Sequence, residues 1–159
     1  MSERLVVDGR TKEDKYAILF PQIESVIAKE RDIIANMANI SSMVHFTFDF
    51  LWTGFYRVLN GELVLGPFQG PLACVRIRKG RGVCGMAWQQ EQTLIVPDVE
   101  LFEGHIACSS LSQSEIVIPV FEGNTIVAVF DIDSQRKNTF DLIDKKYLES
   151  IVALLYAKN

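Results

Sequence analysis

The sequence has no long apolar run, no excess of basic charge and few cysteines, and each absence removes a class of function. No stretch approaches the ~18 consecutive apolar residues that a membrane-spanning helix needs. The first ten residues, MSERLVVDGR, lack the apolar core and small-residue cleavage site of a signal peptide. A cytoplasmic protein is therefore expected. With 16 Lys and Arg against 20 Asp and Glu, the net charge is −4, which offers no basic surface for nucleic acid and argues against an anionic membrane as partner. The cysteines are three, Cys74, Cys84 and Cys108, with no C-x-x-C pair. Structural zinc sites use such pairs, so no metal is expected, although His45 and His105 could supply nitrogen ligands. A cytoplasmic chain with three cysteines does not carry a structural disulfide frame, which leaves catalysis or plain burial for them. The segment GRGVCG lacks the G-x-x-x-x-G-K-[ST] pattern of a phosphate loop. No cofactor is expected.

Repeats, linkers and low-complexity tracts are also missing, so residues 1–159 read as one domain with a loosely ordered leader over 1–10. Within it, Tyr16, Leu19, Phe20, Ile23, Val26 and Ile27 recur at helical spacing, with Pro21 inside the stripe predicting a kink or a fresh start. A second helix is predicted from Asp32 as N-cap, with Ile33, Ile34, Met37, Ile40 and Val44 on one face. Strands begin at Trp52: WTGFYRVL and ELVLGP flank Asn60-Gly61, a strong hairpin signal. A strand is predicted around Cys74 to Ile77, a short helix over Gly82 to Gln90 with Cys84 near its start, and a strand over Thr93 to Val96. Phe140 to Lys158 has the stripe of a closing amphipathic helix. The fold class is α+β: a central antiparallel β-sheet with flanking helices, two N-terminal and one C-terminal.

The chemistry gathers between Pro97 and Ser134. The first part of this stretch is a Gly-, Ser- and Asp-rich loop carrying Cys108 beside His105, where a thiol is accessible and can be activated. His105 is a candidate base for it, with a solvated loop histidine as the plainer reading. The second part is a hairpin, IVIPV and TIVAVFDID around Glu122-Gly123-Asn124. Strand alternation puts Asp131 and Asp133 on one face, and antiparallel pairing returns them beside Glu115. Three carboxyls then converge near the Cys108 loop. By contrast, Cys74 lies among apolar residues, where inert burial is the common reading, and the basic run RIRKGR before Cys84 reads as a solvated face.

The segments WTGFY, LVLGPFQGPLACVRI, GRGVCG, VPDVELFEGHIACSS, SEIVIPV and DIDS resemble the free methionine-(R)-sulfoxide reductases, single-domain enzymes of the GAF fold. The likeness runs from Trp52 to the C-terminal helix. Two departures are visible: Ser109 follows the loop cysteine where the family usually has Asp, and Thr53 follows Trp52 where a small apolar residue is expected. The resemblance implies reduction of free L-methionine-(R)-sulfoxide, with Cys108 as nucleophile passing through a sulfenic acid to an intramolecular disulfide that thioredoxin reduces. It favours Cys74 as the resolving partner, with Cys84 as a second resolving or relay thiol. Chain entropy does not choose between them: closing the Cys74–Cys108 loop is worth roughly 3.8 kcal/mol and Cys84–Cys108 roughly 3.5 kcal/mol. Glu115, Asp131 and Asp133 would protonate the sulfoxide oxygen and hold the substrate ammonium, and Trp52 and Tyr56 would wall the methyl and thioether. A homodimer is left open. Two other readings stand beside this one: a GAF-type small-ligand sensor without turnover, and a redox switch in which Cys108 only oxidises.

Overall fold

The computed structural model describes residues 4–106 and 108–157. Two helices come first. α1 (Lys12–Ile27) starts where the Thr11 hydroxyl accepts from the Asp14 N–H, and it runs on as one helix through Pro21. α2 (Ile33–Phe48) is capped by Asp32, whose carboxylate accepts from the Ala35 N–H, as its sequence predicts. Of the leader, residues 1–3 lie outside the described residues. Leu5 and Val7 pack against the core, and the Val6 N–H donates to Gln22 Oε1.

Six strands follow: β1 (Trp52–Leu59), β2 (Glu62–Gln69), β3 (Arg76–Arg78), β4 (Leu94–Val96), β5 (Ser114–Glu122) and β6 (Thr125–Ser134). They form one antiparallel sheet in the order β3-β2-β1-β6-β5-β4. α3 (Gly82–Gln90) connects β3 to β4, and α4 (Leu142–Ala153) closes the chain. α4 begins at Asp141, which forms a reciprocal capping box with Asp144. Its helical turns end at Ala153 in a 3-10 turn over Leu154–Tyr156, short of the predicted Lys158, which lies outside the described residues. Cys74 is a further difference. The predicted strand from Cys74 starts only at Arg76, and Cys74 sits in the irregular chain before it, because Gly70 (φ 131°) and Pro71 break the pairing just after β2.

Strand alternation divides the interior in two. One face of the sheet, with Phe55, Ile116, Ile118, Phe130 and Ile132, packs against α1, α2 and α4. Tyr16 of α1 donates its hydroxyl to the buried Asp144 of α4 at 2.6 Å and ties the helical layer together. The opposite face carries Trp52, Tyr56, Val117 and Val129 against α3 through Val83, Ala87 and Trp88. Odd-numbered positions of β5 and β6 and even-numbered positions of β1 point this way, so Glu115, Asp131, Asp133, Trp52 and Tyr56 all leave the sheet on the α3 side. Thr53 turns the other way: it is fully buried and shares a 3.0 Å hydrogen bond with His45 Nδ1 of α2. A hydroxyl there has a partner, which explains the departure from an apolar residue.

Candidate active site

Hairpin register sets the acids. Glu115 stands opposite Asp133 and Val117 opposite Asp131 across β5 and β6. On the other side β1 pairs Trp52 with Asp133 and Gly54 with Asp131. Gly54 is required here, since a Cβ would come within 2.7 Å of the Trp52 ring. The indole can then stack on Phe68 and Tyr56, with ring centroids 5.2 and 5.8 Å away. Its N–H donates to the Pro71 carbonyl at 3.1 Å. The Tyr56 hydroxyl donates to the carbonyl of Cys74 at 2.8 Å. The aromatic wall therefore also holds the chain on either side of Leu72 and Ala73 in place.

Cys74 and Cys108 are joined as a disulfide, with Cα atoms 5.7 Å apart. Cys108 is exposed and Cys74 half-buried. Beneath them is a pocket lined by Trp52, Tyr56, Arg81, Cys84, His105, Ile106, Cys108, Ser112, Glu115, Asp131 and Asp133 among others. The sequence-predicted residues converge here: the three acids form the floor, Trp52 and Tyr56 a wall, and the cysteine bond the rim.

Cys84 is the free thiol, and it is buried at the start of α3. Its sulfur and single oxygens of Glu115 and Asp131 all lie within 4.8 Å of one another. Among the described residues these three are the group able to hold a metal ion. Burial pushes the Cys84 thiol well up, and the charges of Asp131 and Glu115 add to the effect. It is a thiol at neutral pH, so it cannot supply thiolate as readily as an exposed cysteine.

Burial also controls the acids. Removal from water raises Glu115 to about 8, with the Asp133 charge pushing the same way. Asp131 and Asp133 rise well above the ordinary carboxyl range for the same reason, reinforced by Glu115 and by Asp131 respectively. The Ser112 hydroxyl donates to Asp133 Oδ1 at 2.7 Å and favours its charged form. Asp131 Oδ1 is buried with no hydrogen-bond partner among the described residues, so it is an open acceptor for a ligand donor. His105 meets one of the acids. Its Nε2 lies 3.5 Å from Glu115 Oε1, and burial lowers its pKa, so it stays neutral near pH 7.

Two site residues escape the sequence reading. Ser112 is one polar residue in a polar loop, and only the β5–β6 register reveals its acid. Arg81 belongs to a basic run that reads as a solvated face; it is exposed, yet it borders the pocket as N-cap of α3. Ser109 takes part in the loop's own turn, its Oγ accepting from the Leu111 N–H at 3.3 Å.

Stability should respond to the buried acid. Unfolded, Glu115 loses its proton near the ordinary 4.5; folded, near 8. Between those values the native state binds more protons, so stability falls as pH rises through this window and is lowest above it. Replacing Glu115 by Gln removes that penalty. Its Tm at pH 8.5 should exceed wild type by roughly 5 °C, while the two proteins converge near pH 4.5. Calorimetry at both pH values checks this; an equal or lower Tm for the variant at pH 8.5 would mean the carboxyl is not held neutral.

Residues 38–155 match the GAF domain family. GAF domain-containing protein A of Dictyostelium discoideum is 57% identical over 156 residues, covering 98% of this chain and 99% of its own. The free methionine-R-sulfoxide reductase of Escherichia coli (strain K12) is 43% identical, covering 91% and 88%. The free methionine-R-sulfoxide reductase of Neisseria meningitidis, solved in complex with its substrate, superposes with a TM-score of 0.94 at 46% identity over 96% of this chain and 93% of that one. No helix among the described residues is long and apolar enough to cross a membrane. Likeness of this degree, over nearly the whole length, places the chain in the free methionine-(R)-sulfoxide reductase family of GAF-fold oxidoreductases.

Proposed function

We propose that the chain reduces free L-methionine-(R)-sulfoxide to methionine, with Cys108 as nucleophile, Cys74 as resolving thiol and thioredoxin as the reductant. One observation carries the reading: an exposed Cys108, bonded to Cys74, borders a pocket floored by Glu115, Asp131 and Asp133, whose carboxyls are all pushed upward by removal from water. The Cys108 thiolate attacks the sulfoxide sulfur, and oxygen passes to Cys108 as a sulfenic acid while methionine leaves. Cys74 then attacks the sulfenic sulfur; a disulfide forms and water departs. One sulfoxide and two thiols thus give one thioether, one disulfide and one water. The relatives named as free methionine-R-sulfoxide reductases support this substrate.

Oxygen leaves as it gains charge, so it needs a proton donor. Glu115, held at about 8, is neutral at pH 7 and can donate. Asp133, with its Ser112 donor, and the unpartnered oxygen of Asp131 face the substrate ammonium, whose positive charge lowers their raised pKa values and lets a carboxylate form as the ligand binds. Trp52 and Tyr56 wall the methyl and thioether. Cys84 serves as a second resolving thiol at most, because its raised pKa makes it the weaker nucleophile.

The acid floor also favours the free amino acid over a residue inside a protein, whose amide nitrogen carries no charge. Blocking the amine removes an enclosed, matched charge pairing at a cost of several kcal/mol, so selectivity should reach roughly a thousandfold. The test is thioredoxin-coupled turnover of free L-methionine-R-sulfoxide, its S epimer, and the N-acetylated, C-amidated R compound. Reductant should be consumed with the first alone. Equal rates on free and blocked compounds would mean an open groove, and no consumption with any of them would overturn the function.

A further inference from the structure

Exposed apolar side chains collect around the Cys74–Cys108 bond. Leu72 (90% exposed) and Val75 (60%) flank Cys74, and Ile106 (37%) and Leu111 (57%) flank Cys108. Leu72 and Ile106 also line the pocket, but Val75 and Leu111 do not, so the substrate gives no reason for their exposure. A cluster of exposed apolar groups around one bond is the mark of a contact surface. Next in the chain, Arg76, Arg78, Lys79 and Arg81 are all exposed, and Arg81 borders the same pocket, on a chain whose net charge is −4. Arg76 is paired with Glu62 and Lys79 lies over Trp88; the group still makes a local basic margin.

We propose that this apolar collar with its basic margin is the docking surface for a dithiol protein of the thioredoxin type, one with an apolar face around its attacking cysteine and acidic groups at its rim. The inference rests on the reading above, in which the disulfide is reopened in each cycle. The disulfide selects the occupant. Restoring two thiols takes a two-electron thiol donor, and a protein donor must seat its surface on whatever surrounds the bond while its sulfur reaches it. Cys108 is the more exposed of the two cysteines, so the reductant's thiolate attacks Cys108 Sγ. An intermolecular S–S bond forms as the Cys74–Cys108 bond breaks, and the electron pair leaves with Cys74 as thiolate. The reductant's second thiolate then attacks its own bonded sulfur and frees Cys108. The partner ends as a disulfide and this chain as two thiols, with its two protons transferred.

The test uses the oxidised protein without any sulfoxide, so it does not depend on substrate turnover. Appearance of free thiols is followed with thioredoxin and, separately, with dithiothreitol, for wild type, Val75→Asp, Leu111→Asp and the double variant. Thioredoxin should reduce the double variant at least roughly tenfold more slowly, the size expected when apolar anchors of an interface are removed, while dithiothreitol reduces all four within twofold. Added salt should slow thioredoxin with wild type and leave dithiothreitol unaffected. A double variant reduced by thioredoxin as fast as wild type would overturn the surface, as would equal slowing with both reductants. Thioredoxin lacking its second cysteine should be trapped on Cys108; a bond to Cys74 would overturn the order of attack. Leu111→Asp lies in a loop outside regular structure, so it keeps the test open should Val75→Asp fail to fold.

Discussion

Cys108→Ser should lose turnover by roughly three orders of magnitude or more while keeping its fold and its affinity for the sulfoxide. The scale is that of removing a nucleophile from a working site. The physical reason is nucleophilicity: a hydroxyl is close in size to a thiol, but at neutral pH it offers almost no anion to attack sulfur. Folding is spared because Cys108 is exposed in a loop and belongs to neither core cluster. Binding is spared because the acids and aromatic rings proposed to hold the ligand come from β1, β5 and β6. Circular dichroism, calorimetric titration with the R sulfoxide and a coupled assay separate the three properties. Residual turnover above a few per cent would remove Cys108 from its role.

The second large effect concerns the floor. Glu115→Gln should lower kcat by roughly 10²- to 10⁴-fold, the usual worth of a placed general acid, because an amide has no proton to give the departing oxygen. Asp133→Asn should lower kcat less and raise KM, since that carboxyl, already accepting from Ser112, is the one proposed to hold the ammonium. The pH profile supplies the sign. Glu115 loses its proton near 8, so wild-type kcat should fall as pH rises through that value, and the residual kcat of Glu115→Gln should not show that fall. The same substitution is expected to raise Tm at pH 8.5. A variant that is slower and more stable at once cannot owe its slowness to misfolding. If Glu115→Gln changes KM alone, the acid only positions substrate.

Much of the site is legible in the sequence because strand alternation is a strict code. Once SEIVIPV and DIDS are read as paired strands, Glu115, Asp131 and Asp133 must share a face, and the register bears this out. Trp52 and Tyr56 follow by the same period across β1. The helices are readable from their caps, Asp32 above all. Less is legible wherever backbone irregularity decides. Cys74 reads as a strand residue by composition, yet Gly70 and Pro71 delay the strand to Arg76. Cys84 has no sequence signal that places it against Glu115 and Asp131; that proximity comes from how α3 seats on the sheet. His105 beside Cys108 suggests a catalytic base, and the sequence gives no sign that the loop also brings its ring to Glu115. Adjacency in sequence says little about direction within a loop.

In a single turnover, one sulfoxide should be exchanged for one Cys74–Cys108 bond. Fully reduced protein, freed of reductant, is mixed with excess free L-methionine-R-sulfoxide; methionine is counted and the cysteines are mapped by mass spectrometry. The expected result is one methionine per chain, two thiols consumed, peptides of Cys74 linked to those of Cys108, and Cys84 still free. Linked Cys84–Cys108 peptides with none from Cys74, or thiols consumed with no methionine formed, would contradict it.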